Sequence, residues 1–491
     1  MKLSELMSVL PFASSGDRLF DIEIQSIETD SRNVKRGSLF VCLQGFQTDG
    51  HLYVAEAIDN GAVAVIAEKT VESTVPVIYV NDSVRALALV VNEFYNHPSA
   101  ELPLIGVTGT NGKTTVTYIL DAIFQNAGKR TGVIGTIQNK YGDVFRKTNH
   151  TTPDSLELQK LLKEMKEHAV EQVIMEVSSH ALELGRVYGC DFDTVVFTNL
   201  SQDHLDFHTD EADYFRAKSL LFSQLGSSYH DKRKFAVING DDPYATLLKR
   251  MTAQPVLTFG METNADVLAD EIELICDKSI FRLKTPVGTV KITSRLTGKF
   301  NIYNMLAATT AALAHDIPLA IIQNTLQMIP PIPGRFETID GGQPFGIIVD
   351  YAHTPDAVRN VLETCRGITE GKLYCVLGCG GDRDQGKRPL MAREAVLFAD
   401  HAIFTSDNPR TEDPQAIIDD MLQGLPHHTD NYDVILDRQA AIERAVAYAE
   451  EGDIVLIAGK GHETIQEING EKHPFDDRIA AQHAIKNKEY S

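Results

Sequence analysis

Apolar positions along the chain come mostly in short unbroken runs, set apart by stretches with helical spacing. In PLIGVTGTNGKTTVTYILDAIFQN (103–126), the apolar run 104–107 predicts a buried parallel strand. A loop of Gly, Thr and Asn follows, and the pattern turns helical from about Lys113. In the first 98 residues, SLFVCLQG (38–45), AVAVIAE (62–68) and PVIYV (76–80) predict strands, with a helical pattern around 51–60. The polar stretch 97–103, with Pro98 and Pro103, reads as a linker. Beyond the loop, QVIMEV (172–177), TVVFTNL (194–200) and FAVING (235–240) predict three further strands. Residues 267–296 alternate as antiparallel strands do, and a long Ala-rich helix is expected from Gly298 to about His315. The Pro-rich IPPIPGRFE (329–337) marks the next boundary. After it, GIIVD (346–350), LYCVLG (373–378), HAIFTS (401–406) and DIVLIAG (453–459) predict a second doubly wound unit.

Short apolar strands separated by helical or polar sequence predict an α/β fold with mostly parallel sheets. Three domains are expected: a small N-terminal α/β domain (1–98), a central P-loop-type, mostly parallel sheet domain (99–331) and a C-terminal doubly wound, Rossmann-like domain (332–491). The length of 491 residues fits that count. No apolar run approaches membrane-spanning length, and the opening MKLSELMSVLPFASSG lacks the pattern of a signal peptide. The six cysteines (42, 190, 276, 365, 375, 379) form no C-x-x-C pair, so structural burial is expected even for Cys375 and Cys379. A cytoplasmic location follows as the expectation. The net charge of −22 argues against nucleic-acid and membrane partners, which are themselves anionic. A small anionic substrate would need Lys and Arg concentrated in a cleft.

The chemistry concentrates where strands end. Strand, glycine loop and helix N-terminus together make a phosphate site, because unpaired N–H groups and the helix dipole face the anion. In TGTNGKTT, Gly109 and Gly112 would let the backbone approach phosphate, and Lys113 would reach the β- and γ-phosphates. The hydroxyl of Thr114 or Thr115 would hold Mg²⁺. A strict P-loop wants Gly where Val107 stands, so the match is to a shorter form. Glu176 closes an apolar strand, placed like the acid that completes a Mg²⁺ shell. Other strand ends carry Ser178, Ser179 and His180, then Asn199, then Asp203, His204, Asp206 and His208. The C-terminal unit presents Asp350 and His353, Arg383, Asp407, Asn408, Pro409 and Arg410, and Gly459 through Glu463. Ligands of open α/β sheets bind at such ends. Asp30-Ser31-Arg32 alone reads as an ordinary turn.

TGTNGKTT, EVSSHALELGR, NLSQDHLDFH, YFRAKSLL, GKFNIYNMLAA, PGRFE, VDYAHTPDA, GGDRDQGKR, SDNPRTEDP and AGKGHE occur in this order. Over its whole length the chain resembles the Mur ligase family, ATP-dependent amide-forming enzymes of peptidoglycan synthesis. The resemblance implies an ATP- and Mg²⁺-dependent ligase that joins meso-2,6-diaminopimelate to UDP-N-acetylmuramoyl-L-alanyl-D-glutamate through an acyl phosphate. A cytoplasmic monomer is expected. By resemblance, Gly109, Thr110, Asn111, Gly112, Lys113, Thr114, Thr115, Asn301, Asn304, Arg335, Asp350 and His353 serve ATP. Ser31, Thr151, Thr152, Ser178 and Arg186 hold the UDP substrate, with Leu184 where some relatives have Gln. Thr114, Glu176, His204 and Lys218 serve metal, Lys218 as a carbamate. Lys113, Glu176, His204, Lys218 and Arg335 are the implied catalytic set. Arg383, Asp407, Asn408, Pro409, Arg410, Gly459 and Glu463 receive the amino acid.

By itself, a Lys on FRAKSLLF is a solvated or snorkelling side chain, and a His beyond a strand is a structural one. By the same resemblance, the Asp-Asn-Pro-Arg form of the run 407–410 implies diaminopimelate rather than lysine. Diaminopimelate carries a carboxylate at its far end, which a guanidinium grips through two parallel hydrogen bonds. Three rivals remain at this stage. A lysine-adding relative would be opposed by Arg410. A folylpolyglutamate synthase-like ligase shares the phosphate-loop type. A P-loop switch or motor ATPase would hydrolyse ATP without any amine acceptor.

Overall fold

The computed structural model describes residues 1–10, 22–45, 48–148, 150–226, 233–262, 264–275 and 278–489. Cys276 and the end of the opening stretch lie outside them. The chain divides into two compact units, 1–106 with 128–195 and 220–234, and 107–127 with 196–219 and 235–491.

The first unit opens with a parallel four-stranded sheet, Ser26–Glu28, Ser38–Val41, Ala62–Ala67 and Val77–Tyr79, paired in sequence order. Alternate side chains leave a strand on opposite faces, and here both faces are covered. Leu39, Val41, Ala64 and Ile66 meet Ala86, Leu87, Val90 and Val91 of helix Ser83–Phe94. Phe40, Cys42, Val65 and Ala67 pack with Val54 and Ala57 on the other side. Farther along, Thr131–Ile134 runs parallel to Gln172–Glu176 and antiparallel to Asn139–Tyr141. The expected linker is packed structure instead. Pro98–Glu101 is a helix, and buried Ser99 accepts the Asp191 N–H at 3.0 Å. Proline suits a first helical turn as well as a linker, and the local sequence does not separate the two.

In the second unit, Lys113–Asn126 packs against the Ala-rich helix Lys299–Ala314. Phe235–Asn239, Val256–Gly260 and Val267–Ile275 pair in parallel. Lys278–Thr285 and Gly288–Ser294 extend them as the expected antiparallel strands. The C-terminal six-stranded sheet has the order Glu337–Thr338, Gly346–Asp350, Ile454–Ala458, Leu373–Leu377, His401–Phe404, Tyr432–Val434. All pairs except the first are parallel. The strand Ile454–Ala458 thus inserts between Gly346–Asp350 and Leu373–Leu377, and Asp350, Gly378, Thr405 and Gly459 lie at the C-terminal ends of their strands. Hydrophobic clusters cover both faces of this sheet. Among the described residues, no helix is long and apolar enough to cross a membrane.

One buried ion pair ties the last helices to this sheet. Arg438 Nε and Nη2 each donate to Asp477 at 2.7 Å, and Nη2 also donates to the Ala458 carbonyl at 3.0 Å. Arg438→Met leaves a buried carboxylate alone and should cost ~3–5 kcal/mol in urea denaturation, with much of that recovered in Arg438→Met/Asp477→Leu. A loss below about 1 kcal/mol for the single change, the level of an exposed pair, contradicts this account.

Candidate functional site

The phosphate loop is shaped by what lies behind it. Gly109 and Gly112 have φ of +147° and +89°. A Cβ on Gly109 would lie 1.9 Å from Thr198 Oγ1, and one on Gly112 would lie 2.3 Å from Asn304 Oδ1. The glycines are therefore demanded by the protein's own packing, in addition to the phosphate approach expected above. Thr198 Oγ1 donates to the Asn111 carbonyl at 2.6 Å, and Asn199 Oδ1 accepts the Asn111 N–H at 2.9 Å. Thr110 donates its N–H to the Asn199 carbonyl at 2.9 Å. Asn304 Nδ2 donates to Asn301 Oδ1 at 3.2 Å, and Asn301 Nδ2 to the Thr297 carbonyl at 2.9 Å. Lys113 folds back, donating to the carbonyls of Gly109 and Thr110 at 2.9 and 2.8 Å. Thr114 and Thr115 are buried in the first turn of a 14-residue helix. A helix N-terminus reached through a glycine loop in this way has the features that receive an anion.

Lys218 is no surface lysine. It is 1% exposed, donates to the Gly109 carbonyl at 2.9 Å and lies 4.3 Å from the Tyr214 ring centre. Burial, and then the charge of Lys113, pushes its pKa well below the usual lysine range. The neutral amine is the form that adds carbon dioxide to become a carbamate.

Asp203 gathers a lysine and two histidines that spacing alone did not connect. Lys387 Nζ lies 3.2 Å from Oδ1, while His204 and His353 Nε2 lie 3.3 and 3.8 Å from Oδ2. Burial favours the protonated carboxyl, but His204, Lys387 and His353 together hold it well below the ordinary carboxylate range. Burial and Lys387 lower His353 to about 4. Its Nδ1 sits 2.8 Å from the Tyr351 carbonyl and must donate there. Lys387 was visible only as part of GGDRDQGKR.

Arg335, just past the Pro-rich junction, reaches the loop. Its Nη2 donates to Thr114 Oγ1 at 3.1 Å, and its guanidinium lies 4.3 Å from the Tyr351 ring centre. Its Nε is buried without a hydrogen-bond partner. Asp350 is spent on backbone, accepting from Phe336 N and Ala352 N at 2.7 Å each. A Cβ on Gly334 would lie 2.0 Å from His462 N. Burial, then Arg335, lowers His462 to about 3.

In the first unit, Thr151, Thr152, Glu176, Ser178 and Arg186 come together. Glu176 accepts from Thr136 N at 2.8 Å and Thr136 Oγ1 at 3.0 Å. Thr152 Oγ1 donates to the Glu176 carbonyl at 2.8 Å and accepts the Ser178 N–H at 3.1 Å. Arg186 Nη1 donates to the Thr152 carbonyl at 2.9 Å, and Thr136 Oγ1 lies 3.1 Å from Thr151 Oγ1. Ser178 caps helix Ser179–Glu183, which ends at Leu184. Ser31 opens the short 3₁₀ turn Ser31–Asn33 between the first two strands of the small sheet and donates to Glu56 at 3.0 Å. Thr136 escaped the sequence reading because it sits in a short polar turn.

The C-terminal unit assembles the remaining candidates. Asn408 Nδ2 donates to Glu463 Oε2 at 2.8 Å, and its Oδ1 accepts from Lys460 Nζ and Glu467 N at 3.0 Å each. Fully buried Lys460 also donates to Glu463 at 3.0 Å, so it orients both side chains. A Cβ on Gly459 would lie 2.6 Å from Asp407 Oδ2. Arg410 follows Pro409 in the left-handed region at φ +53° and donates Nη1 to the Gly381 carbonyl at 2.6 Å. Arg383 is exposed and donates to the Asp382 carbonyl at 3.0 Å. Cys375 and Cys379 are buried, and burial pushes both thiols up to about 12, as inert structural cysteines.

Three family descriptions match the chain: "Mur ligase family, catalytic domain" over 23–95, "Mur ligase middle domain" over 107–312 and "Mur ligase, glutamate ligase domain" over 334–461. The UDP-N-acetylmuramoyl-L-alanyl-D-glutamate–2,6-diaminopimelate ligase of Oceanobacillus iheyensis is 53% identical over 491 residues, covering 99% of this chain and 100% of that protein. The ligase of the same name from Geobacillus thermodenitrificans is 51% identical, again over 99% and 100%. A solved structure of a ligase of that name aligns over 100% of both chains with TM-score 0.69 and 34% identity.

Two outcomes follow from this geometry. Gly109→Ala should weaken nucleoside triphosphate binding about tenfold or more in calorimetric titration, since the displaced backbone carries the phosphate donors and strain there costs of order 1–3 kcal/mol. Unchanged affinity contradicts the packing argument. His462 is neutral when folded, so its share of stability is complete above its unfolded pKa near 6.5 and is lost as pH falls towards about 3. His462→Gln should flatten the pH dependence of the urea midpoint across that window, and an unaltered slope contradicts this.

Proposed function

The chain belongs to the Mur ligase family, and on that premise we propose that it joins meso-2,6-diaminopimelate to UDP-N-acetylmuramoyl-L-alanyl-D-glutamate at the expense of ATP. The observation that carries this reading is Arg335. It touches Thr114 at the phosphate loop while a second nitrogen, buried and without an acceptor, waits for an oxygen. A transferring phosphoryl group offers such oxygens.

A carboxylate is a poor electrophile at neutral pH, so the acyl phosphate comes first. An oxygen of the substrate's γ-carboxylate attacks the γ-phosphorus, the bond to the β-phosphate oxygen breaks, and ADP leaves. The diaminopimelate amine then attacks the carbonyl carbon and gives up a proton, and phosphate departs with the former carboxylate oxygen. The chain's part is placement and charge neutralisation. The N–H groups of the first helical turn, from Lys113 to Thr115, and the Lys113 ammonium hold the β- and γ-phosphates, with Lys113 swinging off its two carbonyls. Arg335, in contact with Thr114, meets the γ-phosphoryl group with its unpaired Nε. Thr151, Thr152, Ser178 and Arg186 hold the muramoyl substrate, with Ser31 toward the UDP moiety. Asn408 and Glu463 receive the reacting end of the amino acid, and Arg410 its far carboxylate. We assign these roles within the division 1–98, 99–331 and 332–491.

Among the described residues, no three His, Cys, Asp or Glu side chains gather into a metal cage. Mg²⁺ bound largely by phosphate oxygens needs only one or two hard protein ligands. Thr114 Oγ1 and a Lys218 carbamate suit that demand, and the low pKa of buried Lys218 favours the carbamate's parent amine. Glu176 and His204 keep the ligand roles that the resemblance gives them. When bound, the ion would neutralise charge on the phosphates.

Phosphate release should require ATP, the UDP-muramoyl dipeptide and diaminopimelate together, with L-lysine a far poorer acceptor. The discrimination expected of a pocket built around a polar group is on the order of 10⁴. Equal release with lysine contradicts the role of Arg410, and release without any amine contradicts the ligase. Arg335→Ala should lower kcat by 10²–10³ while raising the Kd for ATP by roughly tenfold or less, measured by single-turnover kinetics and titration. An unchanged kcat removes Arg335 from the mechanism.

A further inference from the structure

Residues 380–383 and 407–412 follow different strands, yet hydrogen bonds make them one body. The Gly381 N–H donates to the Asn408 carbonyl at 2.9 Å, and Arg410 Nη1 returns to the Gly381 carbonyl at 2.6 Å. Thr411 Oγ1 donates to Asp382 Oδ1 at 2.7 Å, and the Asp382 N–H donates to Glu412 Oε1 at 2.5 Å. A Cβ on Gly381 would lie 1.9 Å from the Pro409 carbonyl oxygen, so the loops are already at closest approach.

Arg388 sits beneath both loops, 1% exposed, on helix Lys387–Phe398. Its Nη1 and Nη2 donate to Glu412 Oε2 and Oε1 at 2.9 and 2.8 Å. Nη1 also donates to Asp420 on helix Pro414–Leu422 at 2.8 Å, and Nη2 reaches the Gly380 carbonyl at 3.4 Å. One guanidinium thus touches both loops and both flanking helices. Asp382 and Arg410, neither a glycine, are each held at φ +53°. Such conformations persist only where neighbours over-determine them.

We propose that Arg388 is a positioning residue for amino-acid selection. Through Glu412 and Gly380 it fixes the paired loops, and so the direction in which Arg410 presents its guanidinium to the far carboxylate of diaminopimelate. This rests on the functional reading given above. A lysine at 388 would keep the charge but lose the fork that spans two acceptors on Glu412 while still reaching Asp420. The loops would relax from their left-handed residues, and the grip on a carboxylate depends on placement within a fraction of an ångström.

The test compares wild type, Arg388→Lys and Glu412→Gln by phosphate release, varying each of the three substrates and offering L-lysine at high concentration. In both variants the KM for diaminopimelate should rise about tenfold or more while those for ATP and the UDP-muramoyl dipeptide stay within about twofold, because only one binding surface is displaced. The preference for diaminopimelate over lysine should fall with it. An unchanged preference in both variants, or three KM values rising together, overturns the proposal. If Arg388→Lys does not fold, Glu412→Gln decides by the same readings. An active wild type with unaffected variants overturns this proposal alone. A wild type without amine-dependent release overturns the functional reading and this proposal with it.

Discussion

Thr198 and Asn304 occupy the space that a Cβ on Gly109 or Gly112 would need, and much of the second unit is arranged by that close approach. Because the loop lies against them, its Gly109 carbonyl turns toward Lys113 and Lys218, and the N–H groups of Thr110 and Asn111 are held by Asn199. The same packing fixes Thr114, which Arg335 meets. Displacing the loop would therefore disturb the phosphate donors, the buried lysine and the Arg335 contact together.

Buried charge is the second organiser. Taking an ion out of water costs several kcal/mol, and the loss is offset only by well-placed charged hydrogen bonds. The molecule accepts this cost at Asp203, Lys387, Lys460 and Arg388, which all serve loops beyond the C-terminal ends of parallel strands. Lys460 orients Asn408 and Glu463, and Arg388 joins the two loops beside them. Arg438 and Asp477 do the same work at the strand Ile454–Ala458, holding its end while helices pack behind it. Open parallel sheets expose backbone groups and loop ends at this edge, and ligands are taken up there.

Much of this was legible in the sequence, for local reasons. The runs at 104–107, 346–350 and 454–458 are apolar on both faces, and the loop TGTNGKTT carries its own chemistry. The hairpin of Ile465–Ile468 and Glu471–Pro474 was not legible, because its strands, one half-buried and one exposed, are short and lack alternation. Nor was the helix at Pro98, whose sequence also reads as a linker. The candidate residues named by resemblance fall into hydrogen-bonded groups, but their partners were hidden. Lys387 finds Asp203 across 184 residues, and Lys460 finds Asn408 across 52. Short-range patterns cannot encode such pairings. One reason for glycine at 109 and 112, the approach of phosphate, was legible in the sequence, and the packing against Thr198 and Asn304 adds a second that only the structure shows.

The central claim is that the phosphate loop and Arg335 serve the activation of a carboxylate, and one isotope experiment addresses it directly. The UDP-muramoyl dipeptide, labelled with ¹⁸O in its γ-carboxylate, is turned over with ATP and diaminopimelate, and the released phosphate is analysed by mass spectrometry. The account predicts one labelled oxygen carried from carboxylate to phosphate in each turnover. Phosphate free of label, with oxygen drawn from solvent, would contradict it and leave simple ATP hydrolysis.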